Sequence, residues 1–307
     1  MAAIVLTILT LILTVEFIVG NVDNAFIVLV NSIDWVKGRK ISSVDKIITA
    51  LAVSRIGLIW FTLIIRLASA FYLTWFFTEK VLRVIHIACT VTNHFSIWFA
   101  TSLSIFYFLK IAKFSNSTFL YLKWRVEKVV SGTVLMSLVL LFLNIALLNM
   151  RISVYIQVYK GNVTMGLREF AQLFRIFLFT DTVFMIIPFT MSLTTFLLLI
   201  FSLWKHLRKM QLSAKGSRDA SIKAHLQALQ TVVAFLVLCT VFLLSSLLQT
   251  WGSALLENCL SMTVCHVFEM TYPSLHSFIL ILGNRKLRQA FLAFLRWLSH
   301  RFKDAPC

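Results

Sequence analysis

Six side chains in the apolar stretch at residues 84–109 share one helix face. His86, Cys89, Thr90, Asn93, His94 and Ile97 follow i, i+3, i+4, i+7, i+8 and i+11. Three other apolar stretches carry comparable sets: Met262, Cys265, His266 and Glu269; Phe177, Thr180, Asp181 and Phe184; and Cys239, Phe242, Ser246 and Gln249. Such residues could ligate a metal, move protons or hydrogen-bond a small molecule. Two histidines eight residues apart make a thin metal site, and no HExxH, GxSxG or Walker pattern occurs. No metal, cofactor or enzymatic turnover is expected. A mostly apolar cavity with a few polar groups is the form small-molecule sites take, whereas the same groups could equally serve as hydrogen bonds between helices. Arg66 and Glu269 could pair, select charged ligands or be satisfied locally.

The elements that must position these residues are set by the composition. Of 307 residues, 59% are hydrophobic and only 13% charged, with a mean hydropathy of +0.88, which is membrane-protein composition. Crossing about 30 Å of hydrocarbon at about 1.5 Å of rise per residue takes about 20 apolar residues. Seven stretches qualify: 3–33, 47–70, 84–109, 129–150, 180–203, 228–250 and 262–283. Lipid tolerates no unpaired backbone groups, so each is expected to be helical. The fold class is therefore all-α, a seven-transmembrane helix bundle over 1–283 followed by a short amphipathic helix and tail over 284–307.

Seven spans put the termini on opposite sides, and the Lys/Arg distribution sets the direction. One set of connections holds 21 basic residues and the other 7, with Arg55 inside a span. The N-terminus is therefore expected outside and the C-terminus in the cytoplasm. The net charge of +17 reflects these short clusters, so no nucleic-acid partner is expected. The first basic residue is Lys37, so the first apolar segment lacks the positive flank of a cleaved signal peptide and is expected to stay as a span. Of two sequons, Asn162-Val-Thr falls outside and Asn116-Ser-Thr inside, so only Asn162 is expected to carry glycan. Five scattered cysteines make no disulfide framework; only Cys259 and Cys265 could share an outer loop. The segment after 284 alternates basic residues with Leu, Phe and Trp at helical spacing and is expected along the inner membrane surface, against membrane lipids.

Arg55 stands in LAVSRIGLIW, where a lipid-facing arginine would cost roughly 2.5–3.5 kcal/mol on insertion scales. Its candidate partners are Asn24, His276 and Ser277. This polar network either clamps three helices or takes part in activation.

Several stretches, in order along the chain, carry a family resemblance: GNVDNAFI (20–27), DWVKGRKISSVDKIITALAVSR (34–55), NHFSIWFATSLSIFYFLKIAKFSN (93–116), LYLKWR (120–125), IPFTMSLTTFLLLIFSLWKH (187–206), KGSRDASIKAHLQAL (215–229) and YPSLHSFILILGNRKLRQ (272–289). The chain resembles the type 2 (bitter) taste receptors, and rhodopsin-like signatures such as NPxxY are missing. The resemblance implies a plasma-membrane, multi-pass glycoprotein of sensory transduction. It would be a G-protein-coupled receptor that binds small bitter agonists in an outward-facing pocket and signals through gustducin or related Gi-class G proteins.

Family ligand positions fall on Cys89, Asn93, Phe242, Ser246 and the Cys265–Glu269 turn, with Arg66 above. Thr90, His94, Asp181 and His266 join them as residues of the same faces. Many members carry tryptophan at the position of Cys89 and an aromatic at that of Ser246, so a wider, less aromatic pocket is expected here. Coupling positions are Tyr107, Lys110 and His206. A transporter or channel of similar size is the competing class, although neither inverted repeats nor a filter-forming pattern is visible.

Overall fold

The structure is a computed structural model and describes residues 2–70, 78–161, 167–212, 219–255 and 259–303. Among these it is entirely helical, with α1 (Ala2–Val36), α2 (Ser43–Ala70), α3 (Glu79–Ile111), α4 (Ser117–Trp124), α5 (Val126–Tyr159), α6 (Leu167–Leu212), α7 (Asp219–Leu255), α8 (Cys259–Gly283) and α9 (Arg285–Lys303). The sequon at Asn162 lies outside the described residues.

Six helices, α1, α2, α3, α5, α6 and α7, are long and apolar enough to cross a membrane. α8 is 25 residues long, but His266, Glu269, Ser274, His276 and Ser277 dilute its apolar character. These polar groups are drawn inward: His266, Ser274, His276 and Ser277 are all buried. Every helix runs past the apolar stretch that marks it, most of all α6, whose 46 residues extend well beyond 180–203. Hydropathy reports only the apolar length, whereas a helix continues wherever its backbone ladder does.

α4 has no counterpart among the expected spans. Asn116 caps it, its Oδ1 accepting the Thr118 N–H at 2.9 Å. One of the two sequon asparagines is thus a helix cap.

α3 is the central helix, packed against α2, α5 and α6. Its buried face carries Ser96, Thr101, Ser102 and Ser104 beside Trp98, Leu103, Phe106 and Leu109. Between helices in lipid, van der Waals contact and interhelical hydrogen bonds supply the attraction, so small and hydroxyl residues mark the contacts. Thr101 Oγ1 accepts from Ser192 Oγ at 2.9 Å, and Ser104 and Thr195 hydroxyls lie 2.9 Å apart, tying α3 to α6.

Two glycines let helices approach. A Cβ on Gly20 would stand 2.6 Å from Ser274 Oγ, and one on Gly57 would stand 2.8 Å from Thr92 Cγ2. The first lets α1 lie against α8, and the second lets α2 lie against α3.

At the end that carries α9, Lys286 Nζ reaches Asp34 at 2.7 Å, Asp45 at 3.6 Å and Asn31 Oδ1 at 2.8 Å. One lysine thereby fixes the start of α9 to α1 and α2. Phe291 packs edge-on against Phe26 and Phe278, while Leu292, Phe294, Leu295 and Trp297 are exposed.

Candidate functional site

The polar residues of α2, α3, α7 and α8 meet around a cavity of about 280 Å³. Arg66, Cys89, Thr90, Asn93, Phe242, His266 and Glu269, all expected from the sequence, line it. So do Thr62, Gln249, Met270 and Pro273. α3 supplies its polar stripe, α2 supplies Thr62 and Arg66 one turn apart, and α8 supplies the charged edge. His266 Nδ1 lies 3.5 Å from Glu269 Oε2, and Ser246 Oγ lies 3.5 Å from Glu269 Oε1. Ser246 is buried and absent from the residues lining this cavity, which it meets only through its contact with Glu269. Cys89 Sγ faces Thr62 Oγ1 at 4.0 Å. Cys265 is a half-buried free thiol and is absent from the residues lining this cavity. The Cys259 side chain lies outside the described residues.

A side chamber of about 180 Å³ opens on the other face of the α3 stripe. Thr90 and Asn93 line both spaces, and His94, Asn144, Arg151 and Asp181 line only the chamber. His94 is buried, with no hydrogen-bond partner on Nε2. Asp181 is ion-paired with Arg151 of α5, so it reaches the chamber already neutralised.

Sequence reasoning missed Arg151 and Asn144. Arg151 counted only as an outer basic residue, yet it directly follows an apolar span and pairs with the only acid in the apolar part of α6. Asn144 interrupts LLFLNIALL, the same signal that marked Asn93.

Both proline-bearing helices border these spaces. Pro188 lies inside α6 and Pro273 inside α8. A proline has no N–H for the carbonyl four residues earlier, so the Phe184 and Glu269 carbonyls lose their helical donor. Phe184 lines the side chamber and Glu269 the main cavity.

Beneath the cavity, Arg55 is fully buried. One guanidinium nitrogen meets Ser277 Oγ at 2.8 Å and His276 Nδ1 at 3.0 Å, and the group stands 5.1 Å from the Tyr272 ring centroid. Ser277 Oγ also lies 2.8 Å from Asn24 Oδ1, and Asn24 Nδ2 donates to the Gly20 carbonyl at 2.6 Å. The expected set is assembled, with Asn24 reached through Ser277.

At the opposite end, Tyr107 lines a space of about 230 Å³ with residues of α7, α8 and α9. Lys110 Nζ lies over the Phe106 ring at 5.8 Å, and His206 Nε2 lies 3.3 Å from Lys113 Nζ. The three expected coupling residues therefore share one end of the bundle.

Residues 1–299 match the family model described as taste receptor protein (TAS2R). The chain is 53% identical over 305 residues to taste receptor type 2 member 14 of Macaca mulatta, covering 99% of this chain and 96% of that protein. It is 52% identical over 306 residues to the protein of the same name in Homo sapiens, with the same coverage. It is 50% identical over 295 residues to taste receptor type 2 member 140 of Rattus norvegicus, covering 95% of each.

Proposed function

The chain belongs to the taste receptor type 2 family, and on that premise we propose that it is a bitter taste receptor of the plasma membrane. Small agonists would enter the cavity between α2, α3, α7 and α8 and drive nucleotide exchange on gustducin or a related Gi-class G protein. In this reading α8 is the seventh span, residues 1–283 form the receptor domain, the N-terminus is outside, and α9 lies on the inner leaflet. The charge asymmetry of the connecting segments supports that orientation.

The observation that carries the reading is the convergence of Arg66, Asn93, His266 and Glu269 on one cavity. Its walls supply apolar area from Leu58, Ile65, Phe242 and Met270, and its few polar groups would fix a ligand's orientation. Cys89 is small where an aromatic would fill the space, so the site takes broad ligands. Asp181 would act indirectly, by holding Arg151 at the chamber.

Signalling follows as a population shift. An agonist activates only to the extent that it binds the arrangement open at the inner end more tightly than the resting one. A preference of about 1.4 kcal/mol moves that equilibrium tenfold. Tyr107, Lys110 and His206 are the side chains that would meet the G protein when the inner end opens.

The test is agonist-dependent nucleotide exchange by the purified chain on a purified heterotrimer, using a bitter-compound panel. Asn93→Ala is expected to lower agonist potency about tenfold, the loss of one or two buried hydrogen bonds, with surface expression unchanged. Equal potency in a well-expressed variant would remove Asn93 from the site, and saturable solute flux in liposomes without exchange would replace the receptor by a transporter.

A further inference from the structure

We propose that the notch between α3, α4 and α5 binds a phospholipid with a multiply charged phosphate headgroup, held by Lys110, Arg125 and Lys128, with its acyl chain along α5. The inference goes beyond the agonist site and rests on the proposed orientation only in placing this notch at the inner leaflet.

The notch encloses about 380 Å³, and besides the three cations its lining includes Trp124 and Glu127. Glu127, its one acid, is engaged elsewhere, accepting the Ser43 hydroxyl at 2.7 Å. Among the described residues none of the three cations is ion-paired. Cations nearby at the same end are committed: Lys286 to Asp34 and Asp45, Arg39 to Asp34, and Lys123 to the Ala112 carbonyl. Arg125 is held in place without being neutralised, its guanidinium 4.8 Å from the Tyr121 ring and 5.9 Å from that of Trp124. Three unspent positive charges around one hollow fit a polyanion.

The second half of the ligand is read from α5. From Lys128, residues 132, 135 and 139 follow at i+4, i+7 and i+11 and so continue the same face. Leu135 and Val139 are exposed, and a Cβ on Gly132 would meet nothing within 4 Å. A headgroup in the notch therefore has an open apolar strip directly above it. Trp124, 82% exposed, stands at the junction, where tryptophan favours the boundary between headgroups and acyl chains. A soluble G-protein surface would make use of the charges but not of the strip, which favours the lipid.

The experiment places the full chain in phosphatidylcholine nanodiscs with a small fraction of phosphatidylinositol bisphosphate and counts retained lipid by native mass spectrometry. Arg125→Gln with Lys128→Gln is expected to lower retention about tenfold. Arg296→Gln with Arg301→Gln, which removes the same charge from α9, should lower it far less. Gly132→Phe should lower retention without altering charge, and it decides the matter if the notch double variant does not fold. Equal losses from the two charge pairs would mean diffuse attraction and overturn the site, as would full retention in Gly132→Phe. Soluble inositol trisphosphate displacing the lipid at equal concentration would overturn the acyl-chain contact. A notch variant that keeps its lipid yet loses agonist-driven exchange would assign the surface to the G protein. Retention is read without agonist, so a negative result here leaves the receptor reading standing.

Discussion

Arg55 and Asp181 are both ionisable groups placed where water is scarce, and their partners give them different consequences. Among the described residues Arg55 has no carboxylate as a hydrogen-bond partner. Its charge is spread over Ser277, His276 and the Tyr272 face, where hydrogen bonds to a charged group contribute about 1.5–3 kcal/mol each. Those contacts offset a burial cost of roughly 2.5–3.5 kcal/mol on insertion scales. Arg55→Leu should therefore strand His276 Nδ1 and lower folded yield and thermal midpoint, leaving the rank order of agonists unchanged. Arg55→Lys should restore part of the loss, because a single guanidinium nitrogen makes both hydrogen bonds and an ammonium can donate to the same two acceptors. A changed rank order in a well-expressed variant would move Arg55 into the ligand site. For Asp181 the ion pair with Arg151 predicts mutual dependence. Asp181→Asn and Arg151→Gln should each reduce agonist response, and the double variant should lose less than the two effects combined. Strict additivity in a double-mutant cycle would mean that the pair does not work as a unit.

At the scale of elements, the helix contacts depend on atoms that are missing. A Cβ on Gly20 would stand 2.6 Å from Ser274 Oγ and 3.0 Å from Ile59 Cδ1, so a methyl there must displace those side-chain ends and a larger side chain must push α1 away from α8 and α2. Gly20→Leu is expected to abolish surface expression and Gly20→Ala to lower it, whereas Gly132→Ala should be neutral because nothing lies near it. Normal expression of Gly20→Leu, read by surface immunolabelling, would show that α1 docks elsewhere. Six of the seven expected spans were legible because lipid demands a length of apolar residues that needs no tertiary information. The polar stripe of α3 was legible for the complementary reason, since a hydrogen-bonding face has nowhere to go but inward. Helix ends were not legible: α6 starts at Leu167 and α4 lies in a charged connection, where solvent gives hydropathy nothing to report. Arg151 and Asn144 escaped because their role depends on which helix faces α5 across the side chamber, and one-dimensional periodicity does not carry that pairing.

For the whole molecule, the decisive question is which end of the bundle faces out, because the cavity of Asn93 and Glu269 and the space at Tyr107 lie at different levels along α3. In the proposed orientation, which rests on the charge asymmetry of the connections, the Asn93 end is the outer one. The two sequons lie on opposite sides of that assignment. Asn116 already gives its side-chain oxygen to the Thr118 N–H as the cap of α4. Asn162→Gln should therefore abolish the mobility shift produced by glycosidase treatment of the cell-expressed chain. Asn116→Gln should leave the shift intact while costing α4 about 1 kcal/mol of cap stability. A glycan on Asn116 would place the cationic notch and the Tyr107 space outside, where neither an inner-leaflet phospholipid nor a G protein could reach them. The same single observation would close the Asn93 cavity to agonists arriving from outside, so the orientation of the bundle, more than any one side chain, links the agonist site to the signalling end.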